Sequence, residues 1–83
     1  MTLDELIAYI NDGREIEFKL ENEEFFVAPV YKGEVFTGKY SIYNNISDKY
    51  VVIGDIMQII SFEFEGSFSF KNDIEKFEFK FIL

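Results

Sequence analysis

Two pairs of glutamates stand where paired carboxylates do acid–base chemistry: Glu15 with Glu17, and Glu63 with Glu65. Residues two apart on a strand share a face at about 6–7 Å, and glycosidic bonds are cleaved by carboxylates about 5–9.5 Å apart. A catalytic acid also needs surroundings that raise its pKa, such as an apolar pocket. These glutamates instead alternate with apolar residues, as on the wet face of an amphipathic strand. The rest of the reactive inventory is short. The chain has no His and no Cys, which removes imidazole and thiolate zinc ligands, cysteine nucleophiles, disulfides and the Ser-His-Asp triad. Asn44, Asn45 and Asp48 offer oxygen ligands, but they lack the Asp-x-Asp-x-Asp-Gly spacing of a calcium loop and read as a turn. Gly33 and Gly38 are followed by no Gly-Lys-Ser/Thr, so no phosphate loop is expected. The expectation is a non-enzymatic chain without catalytic residue, metal or cofactor.

Binding surfaces are better represented. The formal charge is −8, and residues 1–30 hold eight acids against two bases. Phosphate binding depends on neutralisation by Lys and Arg, so direct nucleic-acid binding is not expected. A protein with a basic surface is the matching partner. Glu15, Glu17, Glu21, Glu23 and Glu24 form the densest acidic stretch. On one strand face their spacing approaches that of phosphates along a nucleic-acid strand, which would suit an acidic decoy. Four of the five tyrosines, Tyr31, Tyr40, Tyr43 and Tyr50, fall in the neutral middle third, and tyrosine is enriched at interfaces because its ring contributes area while its hydroxyl tolerates water. Tyr31, Tyr40 and Tyr43 complete the expected partner-binding set. Together with Lys32, Lys39 and Arg14 they also allow an alternative, an oligomer that sequesters a nucleotide by stacking its base. Pro29 marks an edge or bulged strand, and an edge beside the tyrosines would permit a structural, virion-associated or other homo-oligomer by strand pairing.

The elements that must hold these residues follow from periodicity. Thr2 and Glu5 have capping-box spacing; Leu3, Leu6, Ile7 and Ile10 form one stripe, and Gly13 supplies the stop. Beyond Gly13 the period is two. Strands are expected at Glu15–Glu21, Glu24–Tyr31, Glu34–Tyr43, Lys49–Ile53, about Met57–Glu65, Phe68–Phe70 and Phe77–Phe81. Gly66-Ser67 reads as a two-residue hairpin turn. At Asp55 and Gln58 a short capped helix bearing Ile56, Ile59 and Ile60 competes with the strand, and the alternation of Ile60, Phe62 and Phe64 favours the strand. The expected fold is one α+β domain over residues 1–83. Its N-terminal helix packs on an antiparallel meander of six or seven short strands, a curled sheet or partly open barrel. No stretch approaches the roughly 20 apolar residues of a membrane span, and the first 25 residues hold no signal-peptide pattern; a cytoplasmic protein is expected.

The opening run Thr-Leu-Asp-Glu-Leu-Ile-Ala-Tyr-Ile-Asn-Asp-Gly-Arg-Glu-Ile-Glu-Phe resembles the start of many short phage and prophage proteins. In those a capped helix passes through a glycine into a Glu-Ile-Glu-Phe strand. The resemblance covers residues 1 to about 20 and lies in fold-forming positions, so it transfers no functional residue. It implies a small inhibitor of a host protein, of the anti-CRISPR or other anti-defence kind, working in the host cytoplasm. The acidic charge and the Phe-, Ile- and Lys-rich composition of an AT-rich genome are similar in such proteins.

Overall fold

The first helix forms where its end groups are satisfied. In the computed structural model, which describes residues 1–83, α1 spans Leu3–Asn11. The Thr2 hydroxyl accepts from the Glu5 amide at 3.1 Å, and the Glu5 carboxylate accepts from the Thr2 amide at 2.9 Å. That backbone bond, with the Thr2 side chain behind it, holds the exposed Glu5 carboxyl below its ordinary 4.5. Its contribution to stability is therefore present above pH 4.5 and fades as pH falls through the lower folded value. Gly13, with φ of 76°, turns the chain out of the helix.

Four strands then meander: β1 (Ile16–Leu20), β2 (Glu23–Lys32), β3 (Val35–Asn44) and β4 (Lys49–Ile53). A helical excursion follows, and β5 (Glu78–Ile82) returns to pair with β1, giving one antiparallel sheet in the order β4-β3-β2-β1-β5. The α+β antiparallel sheet thus has five strands where six or seven were expected. Ile16, Phe18 and Leu20 of β1, Phe25 and Val27 of β2, and Tyr40 and Ile42 of β3 point inward and are buried. Leu6 and Ile10 of α1 join the same core, as the apolar stripe required.

The expected strands at Met57–Glu65 and Phe68–Phe70 do not form. α2 (Ile56–Ser61) takes the first place because Asp55 accepts from the Gln58 amide at 2.9 Å and Gln58 accepts from the Gly54 amide at 2.8 Å. Of the two structures that compete for this segment, the capped helix forms. Phe64 and Phe68 exchange one isolated bridge around a three-residue reversal, in which Glu65 and Gly66 both have positive φ, instead of the expected two-residue hairpin. Ser69 then caps α3 (Phe70–Asp73), and a 3₁₀ turn at Ile74–Lys76 leads to β5. Alternating phenylalanines arise here because a tight reversal and two short helices drop Phe64, Phe70 and Phe77 into one core. Losing the α2 cap is expected to cost about 1 kcal/mol. Urea unfolding of Asp55→Ala measures this; a strand at residues 57–65 would leave the midpoint unchanged.

Pro29 takes the second of its two expected places, a bulge and not an edge. β2 is the middle strand, so the exposed edges belong to β4 and β5. β1 stops pairing with β2 at Val27, and the β2–β3 register shifts between Pro29 and Tyr31. The bulge half of the expectation holds, the position at which a missing amide hydrogen is tolerated.

Candidate functional site

Alternation gives the sheet two unlike faces. Residues of the helical excursion and α1 share a core with the inner face. On the outer face no residue is buried. The strand register sets Phe81, Glu17, Phe26, Tyr43 and Tyr50 in one row across all five strands. Tyr50 and Phe81 are 68% and 58% exposed, which leaves two large rings at the ends of the row in water. Val52, Ser41 and Ala28 form the next row. A second register shift, in β5 opposite Glu17 and Phe18, turns Phe79 inward against Phe18 and Phe81 outward.

The five acidic candidates do not make one stripe. Glu17 and Glu24 lie on the outer face, with Lys19 directly opposite Glu24. Glu15 ends the same face, where its carbonyl accepts from the Leu83 amide at 2.8 Å. Glu21, with φ of 55°, sits in the turn. Glu23 pairs with Leu20 on the inner side and accepts from the Asn44 amide group at 3.0 Å. The two-residue turn Glu21–Asn22 sets Glu23 opposite the inward Leu20, so the evenly spaced decoy ribbon expected from the sequence is broken into an outer trio and a hairpin tip.

The tyrosines divide in the same way. Tyr31 and Tyr40 come together with Phe36 and Pro29 around a half-open pocket of about 150 Å³, closed on its other side by Asn11, Asp12 and Gly13 at the end of α1. Tyr43 faces the outer side and donates to Asp48. Neither Lys32 nor Lys39 lines the pocket, and Arg14 is tied to Asp12 at 3.0 Å and lies 5.7 Å over the Tyr9 ring. The expected base-stacking cluster of Tyr31, Tyr40, Tyr43 and basic residues is therefore not assembled.

Two hydroxyls titrate late. Burial, with Tyr31 as a second cause, raises Tyr40 above the ordinary 10.0, and the bond to Asp48 raises Tyr43. Folding favours the protonated phenol in each case, so the stabilising effect is complete below pH 10 and is lost as pH rises through the folded values. Absorbance titration at alkaline pH is expected to show both; Asp48→Asn, which keeps a residue tolerant of the φ of 59° there, brings Tyr43 back toward 10.

Sequence reasoning missed Phe36 and the Asn11–Gly13 corner, which meet Tyr31 only through tertiary folding. It also missed Phe81, whose outward direction depends on the β5 bulge. Phe26 carried a signal, a phenylalanine at an outward-facing position. No three or more acidic residues gather as a metal cluster, and no helix is long and apolar enough to cross a membrane. Comparison with protein-family models, curated proteins and solved structures finds no match.

Proposed function

We propose that this chain is a non-enzymatic binding protein whose outer sheet face occupies a basic surface on another protein. The observation that supports this most is the unburied row of Phe81, Glu17, Phe26, Tyr43 and Tyr50 crossing five strands, with Glu15 and Glu24 on the same face. Exposed aromatic rings supply contact area at low entropic cost, and carboxylates around them favour cationic partners. A net charge of −8 speeds encounter with such a partner and disfavours nucleic acid. The resemblance of residues 1–20 to short phage and prophage proteins makes inhibition of a host protein, including a defence protein, the purpose we assign to that contact.

Affinity capture from a bacterial lysate tests the reading. A specific partner is expected to be retained at about 0.05 M salt and released as the Debye length shrinks to about 3 Å near 1 M. Retention of nucleic acid, or of a partner indifferent to salt, would exclude an acidic contact surface.

A further inference from the structure

We infer that the pocket between the end of α1 and the rings of β2 and β3 receives the guanidinium of an arginine side chain presented by a protein partner. Phe36 stands 5.9 Å from Tyr31 at 56° and 5.4 Å from Tyr40 at 64°. Three rings therefore wall one half-open cavity of about 150 Å³. Ring faces attract cations and repel anions, and a planar guanidinium stacks on them while shedding its weakly held water.

The fourth wall has the same sign. It is the C-terminal end of α1, the negative end of the helix dipole, where the Asp12, Gly13 and Arg14 amides cap the Ala8, Ile10 and Tyr9 carbonyls. Asp12, the helix C-cap, is the one charged residue among the lining. An anion would meet the Asp12 carboxylate and the negative helix end together. Arg14 already pairs with Asp12, but both side chains are largely exposed, at 46% and 66%, and such a pair is weak. Arg14 is thus a mild internal competitor for the incoming cation.

The inference uses none of the outer-face residues, so each can fail without the other. Its test is a titration of the full chain, followed by NMR at the Asn11 and Gly13 amides, with N-acetyl-arginine methylamide and with the matching citrulline compound as neutral isostere. Saturable shifts are expected with the arginine probe, with Kd on the order of 1–10 mM. Citrulline should bind at least about fivefold more weakly, and Phe36→Ala should weaken arginine binding about tenfold. Arg14→Ala should strengthen it by up to about fivefold by freeing Asp12. Phe36 and Arg14 are exposed, so both variants are expected to fold. Equal binding of citrulline, weaker binding by Arg14→Ala, or no saturable shift in the unaltered chain would overturn the assignment. A lysine probe that outcompetes arginine would overturn the choice of guanidinium.

Discussion

Phe18→Ala is expected to lose about 3–5 kcal/mol, a large part of the roughly 4–12 kcal/mol typical of a chain this size. Phe18 is fully buried and is the centre of the aromatic core. Its ring stacks on Phe25 at 5.4 Å and 17°, and it meets Phe64, Phe70 and Phe77 edge-on at 5.3, 5.0 and 5.6 Å. Those partners come from β2, from the reversal after α2, from α3 and from the approach to β5. Truncation therefore opens a cavity bounded by four separate segments, none of which can collapse without moving the others. Edge-on ring pairs add to the area term, at about 0.5–1.5 kcal/mol each. The control is Phe81→Ala, where the ring is 58% exposed and the change is expected within about 0.5 kcal/mol. Urea unfolding of both variants measures the contrast; equal midpoints would show that Phe18 is not packed on all sides.

Reversing Glu15, Glu17 and Glu24 to lysine is expected to have the largest effect on binding. The change takes the formal charge from −8 to −2, because each of three reversals shifts it by two units. Each site loses an exposed attraction of about 0.2–1 kcal/mol and gains a repulsion of similar size. Across three sites affinity for a basic partner falls at least tenfold, with most of the loss in the association rate. None of the three is buried, and Lys19, opposite Glu24, shows that the face accepts lysine. The fold is therefore expected to survive, with little movement of the urea midpoint. Surface-based binding measurements on the captured partner decide the matter. An unchanged affinity would mean that the outer carboxylates are only a solubilising surface.

How much of this the letters carried depended on whether local chemistry was sufficient. α1 was legible from end to end because Thr2, Glu5 and the Leu6–Ile10 stripe all act within a few residues. β4 has the expected limits, and the inward set of β1 and β2 follows from alternation alone. The segment after Gly54 was misread because Phe62, Phe64, Phe68 and Phe70 alternate as strand residues do. There the caps at Asp55 and Ser69 outweigh the alternation. The candidate site was less legible still. Tyr31 and Tyr40 were found but their partners at Asn11–Gly13 were not, because the pocket exists only once β2 and β3 lie against the end of α1. Tyr43 is close to them in sequence only. Being three residues from Tyr40 along a strand, it had to face the other way.

One face of the sheet is packed and the other is uncovered, and solvent accessibility of the aromatic rings tests that division most directly. A soluble paramagnetic probe added to the isotope-labelled chain is expected to broaden the ring signals of Phe81 and Tyr50 strongly and those of Phe26 and Tyr43 moderately. The signals of Phe18, Phe64 and Phe70 should remain sharp. Equal protection of both sets would show that the outer face is covered, and would contradict the account.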